Sequence, residues 1–390
     1  MFLAVLAVLA FSSWYTPWRL VRWLGGRRWW PWTLACLAWT GGYFAVIVTG
    51  AYTLDSRLYS VLFVALGLLF MFGAYAFLAT LALEALGVAS RVPPLRRLAR
   101  RLPLRRAAWA APALSAALVL AGFLNAQGFE VTRWEIEVTG LAAPVTLVHA
   151  PDIHLGPARG ARYLAKVLAA IGELDPDFIL YNGDLVDGNS ALKPEVFGQF
   201  RGVGARQYFT TGNHEYYVDT DEVLSAVRGA GIRVLMSERV EESGLNLIGM
   251  QYMNADLSTD QGHRVNDLGL DHELPGIPRD PALPDLLVHH SPVGLRYAER
   301  DGVEVMLAGH THGGQVFPGT LLIRRNFPLY RGRYDIGPVK LLVSQGVGTF
   351  GPVMRLGTFS ELQYIRLVPA GAAGGPGSAD GTDAGTGEGG

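Results

Sequence analysis

Apolar residues are distributed very unevenly along this chain, and that asymmetry constrains its fold more than any other feature. Four apolar runs occupy its first third: Phe2 to about Trp18, Trp29 to about Ala51, Leu58 to about Leu83 and Ala107 to about Leu124. A helix crossing a bilayer core needs roughly 20 predominantly apolar residues, which the second and third runs supply. The first sits where a signal peptide would, but it lacks a basic start and a small-residue cleavage site, so it reads as a span. The fourth is alanine-rich and contains Pro112; a span, an interfacial helix and a buried helix all stay open for it. Trp14, Trp18, Trp29, Trp30 and Trp32 lie at the edges of these runs, where aromatic belts form. Half of all 390 residues are hydrophobic (50%), and most of the excess lies before residue 127. The expectation is a membrane region over 1–126 with about four transmembrane helices.

Arginine placement sets the orientation. Arg19, Arg22, Arg27 and Arg28 separate the first two runs; Arg91, Arg96, Arg97, Arg100, Arg101, Arg105 and Arg106 separate the last two. Only Arg57, beside Asp55, falls between the second and third. The positive-inside rule puts both arginine-rich loops in the cytoplasm. If the fourth run crosses, everything after it faces outward from the plasma (inner) membrane. Anionic lipid headgroups are the natural partners of such loops. The formal net charge of −1 argues neither for nor against nucleic acid; an outward domain with little excess basic charge speaks against such a partner, and none is expected. Cys36 is the single cysteine, which excludes an intrachain disulfide and a thiolate zinc cage. Any metal must be held by histidine, carboxylate and amide oxygen.

From Gly128 the composition becomes that of an α/β domain. Strands are expected at Pro144 to Val148, Phe178 to Tyr181, up to Phe209, Ile232 to Leu235, Leu245 to Ile248, Leu286 to Val288 and Val303 to Leu307, with a β-rich section from Leu341 to about Leu367. Ala161 to Leu174 reads as an amphipathic helix. Asp219, followed three residues later by Glu222, opens a second helix in the manner of a capping box. The segment 370–390 is built of glycine, alanine and small polar residues; it cannot bury a core and reads as a disordered tail.

Five polar clusters follow five of these strands: Asp152-Ile153-His154, Gly183-Asp184, Gly212 to Glu215, His289-His290, and Gly309 to Gln315 with His310 and His312. Ligands of open α/β sheets gather beyond the carboxyl ends of strands, so these clusters would converge. Seven of the nine histidines lie in or beside them. The mixture suits a pair of divalent ions, which in two-metal sites stand about 3.5–4 Å apart and clamp the attacking and leaving oxygens of a phosphoryl displacement.

The order Asp-x-His, Gly-Asp, Gly-Asn-His-Glu, His and Gly-His-x-His resembles the calcineurin-like metallophosphoesterase superfamily, over roughly Thr146 to Leu367. Gly309 to Gln315, with Tyr330 to Gly332 and Val343 to Gly348, is similar to a bacterial membrane-linked branch that includes YkuE-type proteins and UDP-diacylglucosamine pyrophosphohydrolases. The resemblance implies one metal held by Asp152, His154, Asp184 and His312, and a second by Asp184, Asn213, His290 and His310, with Asp184 bridging. His214 would be catalytic, stabilising the phosphoryl oxygens or protonating the leaving group. His290 rather than His289 is the ligand because its spacing to Pro292 fits the family. Glu215 and Asp187 would support the ligands from behind; His149, His263 and His272 read as structural or exposed. Pro151, Asn182, Gly249 to Tyr252 and Ser360 to Leu362 depart from the family pattern without touching a ligand position. The segment from Met250 to Pro281 is expected to shape the mouth of the site.

The expected fold is α/β, a four-layer sandwich of two packed mixed β-sheets flanked by helices over 127–369, preceded by the all-α transmembrane region. The expected activity is hydrolysis of a phosphomonoester, phosphodiester or pyrophosphate of a lipid or cell-envelope substrate by metal-activated water. Two divalent ions, manganese, iron, zinc or magnesium, would be the cofactors. The alternatives are a nuclease or cyclic-nucleotide phosphodiesterase on the same fold, or a catalytically silent metal-binding sensor.

Overall fold

The computed structural model describes residues 2–50, 57–89, 104–252 and 269–371. The basic stretch from Arg91 to Arg101, His263, half of the Met250 to Pro281 segment and nearly all of the tail lie outside them. All four apolar runs are helical: α1 (Phe2–Trp23), α2 (Trp30–Gly50), α3 (Arg57–Ala89) and α4 (Leu104–Asn125). Among the described residues, Arg57–Ala89 and Arg106–Asn125 are long and apolar enough to cross a membrane. Packed aromatic rings join α2 to α3, with Tyr43 stacked on Phe70 at 5.4 Å and tilted against Phe63 at 5.9 Å. The one acid in these helices, Glu84 of α3, pairs with Arg19 of α1 and accepts from Tyr15 Oη. Pairing removes most of the cost of placing a charge in an apolar bundle.

Among the described residues twelve strands follow: β1 (Glu130–Val138), β2 (Val145–His149), β3 (Phe178–Asn182), β4 (Arg206–Thr210), β5 (Arg233–Val234), β6 (Glu238–Glu242), β7 (Leu245–Gly249), β8 (Asp285–Val288), β9 (Val305–Ala308), β10 (Gly332–Ile336), β11 (Val339–Val343) and β12 (Glu361–Pro369). They form two six-stranded mixed sheets, ordered β1-β12-β2-β3-β4-β5 and β10-β11-β9-β8-β7-β6. Successive side chains alternate between faces of a strand, and here both faces are covered. Leu147, Phe178 and Leu180 of the first sheet pack on Leu247, Leu286, Val305 and Leu307 of the second. Their neighbours Val148, Ile179 and Tyr181 point the other way, onto Leu164, Val167 and Ile171 of helix Ala161–Leu174. On the far side, Ile248, Leu287 and Met306 pack with Leu274 and Ala298. Helix, sheet, sheet and helix make four layers, as two-sided burial of the central strands requires.

Three strands are not apparent from the sequence. β1, β6 and β10 carry charged residues on exposed faces, so their apolar signal is diluted. The β-rich section from Leu341 is also interrupted: β11 ends at Val343 and β12 begins at Glu361. The intervening loop wraps beneath the β2 loop, where Gly348 N donates to Asp152 O at 2.7 Å. A Cβ at Gly348 would collide with the Ile153 carbonyl, so only glycine fits there.

Candidate metal centre

The loops that leave β2 and β3 are stitched to one another at the backbone, as are those that leave β8 and β9, while the Glu215 side chain ties in the β4 loop. Asp152 N donates to Gly183 O and His154 N to Asp184 O, both at 3.0 Å, while Gly309 N donates to His290 O at 2.9 Å. Asp152, His154, Asp184, His310 and His312 all have positive φ, between 50° and 71°. Each left-handed non-glycine costs on the order of 1 kcal/mol. Such strain clusters where side chains must be aimed at something.

What they are aimed at is one another. Three groups of acids and imidazoles have ligand atoms within 4.8 Å: Asp152, His154 and His312; Asp184, His290 and His310; and His154, Asp184 and His214. Asp184 Oδ2 lies 3.3 Å from His290 Nε2 and 3.9 Å from His154 Nε2, between the first two groups. His312 Nε2 stands 3.4 Å from Asp152 Oδ1 and 2.9 Å from His154 Nε2. Two imidazole nitrogens facing one another at that distance are spaced as neighbouring ligands of one ion, since metal–nitrogen bonds are about 2.0–2.1 Å.

The other atoms of these side chains are already committed. Asp184 Oδ1 accepts from His214 N at 2.8 Å, leaving Oδ2 turned toward the imidazoles; both Asp152 oxygens accept from His310 N, Oδ2 at 3.0 Å and Oδ1 at 3.2 Å. His290 Nδ1 donates to Asn182 O at 2.7 Å; this fixes the tautomer with a bare Nε2. His290 Nε2 and Asn213 Oδ1 are shielded from solvent and have no hydrogen-bond partner, a costly state that a cation relieves. An imidazole, carboxylate and amide donor set suits a divalent transition metal or magnesium. The residues fit the group.

Electrostatics point the same way. Burial pushes the Asp152 carboxyl up, and the Asp184 charge adds to the rise against the opposing His290. Burial would also raise Asp184, but His290 and His214 outweigh it and hold the group well below the usual carboxylate range. Glu215, fully buried, is pushed up by burial and by Asp184. Its carboxylate accepts from Gly212 N at 2.7 Å, Leu185 N at 2.8 Å and Asp184 N at 3.0 Å, so it braces two loops rather than facing the cluster. Asp187 accepts from His154 Nδ1 at 2.6 Å and His214 Nδ1 at 2.7 Å. Burial would lower His214, but Asp184 and Asp187 raise it to about 10.

Of the adjacent pair after β8, His290 enters the cluster, while His289 Nδ1 faces Ser291 O at 2.8 Å and burial lowers its pKa to about 4. His149 is likewise buried, between Gln363 and Asn182. Tyr252, at the start of the expected mouth segment, sets its ring 5.9 Å from both His290 and His310.

Several contributors carry no sequence signal. Arg355 is fully buried; its Nη2 donates to the carbonyls of Gln345, Gly346 and Gly348 and reaches His312 Nδ1 at 3.2 Å. A lone arginine in an irregular loop announces none of this. The Phe350 ring lies 5.1 Å from the His214 ring and Phe327 lies 5.3 Å from His310; either would pass for an ordinary core aromatic.

Buried acids and imidazoles converging between two mixed sheets define a metallophosphoesterase, and comparison with known proteins gives the family. Residues 145–314 match the model for the calcineurin-like phosphoesterases. An uncharacterized metallophosphoesterase of Aquifex aeolicus is 33% identical over 242 residues, covering 58% of this chain and 87% of that protein. A transmembrane protein with metallophosphoesterase domain from Danio rerio is 31% identical, over 66% of this chain and 62% of its own length. An uncharacterized metallophosphoesterase of Campylobacter jejuni is 28% identical, over 65% of this chain and 67% of its own. The chain thus matches about two thirds of the length of the last two. It belongs to the calcineurin-like phosphoesterase family.

Proposed function

We propose that this chain is a membrane-anchored dinuclear phosphoesterase that hydrolyses a phosphomonoester, phosphodiester or pyrophosphate of a lipid or cell-envelope substrate. In this reading residues 1–126 are the anchor, 127–369 the hydrolase, and 370–390 a tail. The hydrolase faces outward in this reading, which the arginine bias between the runs supports; the two long apolar helices support the anchor. The observation that carries the reading is Asp184, whose Oδ2 stands within 3.9 Å of an imidazole in each of two ligand groups.

Asp152, His154, Asp184 and His312 would hold one ion, and Asp184, Asn213, His290 and His310 the other. Bound there, two divalent cations polarise a phosphoryl oxygen and make a water acidic enough to attack at neutral pH. The protein's own groups do the rest. Asp187 accepts from Nδ1 of His214 and leaves Nε2 as the proton donor, 3.8 Å from Asp184 Oδ2. Oriented by Asp187, His214 can neutralise the phosphoryl oxygens or protonate the leaving alkoxide. Asn182 and Asp187 fix the rings of His290 and His154 from behind, which keeps the metal-facing nitrogens bare.

The test is hydrolysis of aryl phosphate mono- and diesters and of a nucleotide-sugar pyrophosphate by the manganese-loaded protein. Turnover that disappears on chelation and returns with metal is expected. Full activity in Asp184→Asn would refute the shared carboxylate.

A further inference from the structure

Apolar side chains exposed on the hydrolase are few and concentrated. Beyond residue 126, the large hydrophobic residues exposed among the described ones are Phe317, Leu321, Leu322, Ile336 and Phe350. Four of these five share one rim. Phe317 precedes the helix Gly319–Asn326, which buries none of its residues and carries Leu321, Leu322, Arg324 and Arg325. Gln315 ties the Phe350 loop to the same rim: its Nε2 donates to Phe350 O, and Phe350 N donates to its Oε1, both at 2.8 Å. Leu321 and Leu322 are 61% and 68% exposed, and Phe317 and Phe350 47% and 55%. Leaving such a patch bare in water is unfavourable, and contiguous apolar patches mark interaction surfaces.

Two neighbours of the rim say what covers it. The first is the apolar helical region. Tyr75 Oη of α3 donates to Phe317 O at 2.7 Å, and Met71, Tyr75 and Val119 pack with Met354, Val316 and Leu356. The rim is continuous with the helices that carry the chain's membrane character. The second is the metal centre. A Cβ on Gly319 would stand 2.8 Å from the Gly314 carbonyl, so the helix begins hard against the His310–His312 turn, and Phe350 lies over His214. Basic residues follow in order: Arg324 in the helix, then Arg331, both over the Tyr330 ring. Leucines beside arginines on a short exposed helix are the pattern of an element lying in the headgroup layer.

We propose that Phe317, Leu321, Leu322 and Phe350 dip into the leaflet beside α3 and α4, so that the metal centre opens at the level of the lipid headgroups and takes a substrate whose phosphate sits there. The occupant of the rim is lipid, not a second protein. The inference rests on the membrane-anchored reading above and narrows its substrate to an amphiphile reached from within the bilayer plane.

The test uses the full chain in phosphatidylethanolamine–phosphatidylglycerol vesicles, with Cys36→Ser removing the native thiol. Single cysteines from Leu322→Cys, Leu62→Cys on α3 and Glu238→Cys on β6 carry an environment-sensitive fluorophore. Brominated acyl chains should quench positions 62 and 322 about twofold or more, as for groups buried ~5–10 Å below the headgroups, and leave 238 bright. If position 62 is not quenched, the anchor reading falls and this proposal with it. Quenching at 62 but not at 322 overturns the proposal alone, and a 322 label shielded from iodide yet untouched by brominated lipid would assign the rim to a protein. The double variant Leu321→Glu, Leu322→Glu gives a second readout. Its kcat/KM should fall about tenfold on an acyl-chain aryl phosphate in vesicles and hold on a soluble aryl phosphate; equal effects on both would sink the idea.

Discussion

The two sheets contribute unlike chemistry to the same site. Loops after β2, β3 and β4 of the first sheet bring Asp152, Asp184, Asp187 and Glu215, together with His154, Asn213 and His214. Loops after β8 and β9 of the second bring His290, His310 and His312 and no carboxylate. One half supplies carboxylates, the other imidazole nitrogen. Burying Asp152 beside Asp184 is costly without cations between them, because buried carboxylates need pairing. The second sheet completes the shells without adding a carboxylate. The site exists only where the two halves pack, so neither alone should bind a metal pair.

The largest expected break of that contrast is Asp184→Asn, on the acidic side. Removing the charge shared by both ligand groups should cost about a thousandfold or more in kcat and release both metal equivalents, measured by turnover and elemental analysis. The neighbouring change His290→Asn, on the neutral side, should release one equivalent and leave the other.

Next comes acid. Buried imidazoles resist protonation on both sheets: His149 at the end of β2 and His289 after β8 are pushed by burial to about 4, and burial with the neighbouring His154 holds His312 well below its usual range. Between 6.5 and 4 the unfolded chain takes a proton that the native state refuses. Stability from these groups is therefore complete above 6.5 and declines as pH falls toward 4. His149 and His289 should each lose roughly 3 kcal/mol, a few hundredfold in the folding equilibrium. Denaturation of the chelated protein as a function of pH checks this, and His289→Gln should remove part of the dependence.

His214→Ala should lower kcat about a hundredfold while both metals stay bound, since the ring's proposed work is proton transfer rather than ligation. Metal loss in that variant would move His214 into the shell. The smallest effect is expected for Asp187→Asn, about tenfold in activity or metal affinity, because it acts through the rings of His154 and His214.

Much of this was legible residue by residue. The helix Ala161–Leu174 has the bounds its apolar spacing gives, and Asp219 caps the next helix through Glu222 N at 3.1 Å. Each polar cluster follows an apolar strand because a buried strand must surface before it can present charge. What stayed hidden depends on contacts between distant segments. Nothing local says that β12 inserts between β1 and β2, or that Arg355 spans from His312 to the Gly346–Gly348 loop. The exposure of Leu321 and Leu322 is equally silent, since two leucines in a short helix ordinarily mean core.

By itself, the sequence determined the apolar front third, the two-sided strands and the choice of donor atoms, because hydrophobic periodicity and side-chain chemistry are properties of neighbouring residues. Tertiary structure alone decided how the donors are spaced, which buried groups such as Arg355 and Glu215 brace them, and which loops lie against the apolar helices. Those outcomes depend on how two sheets and a helical bundle pack, and close packing is settled by shape across the whole molecule.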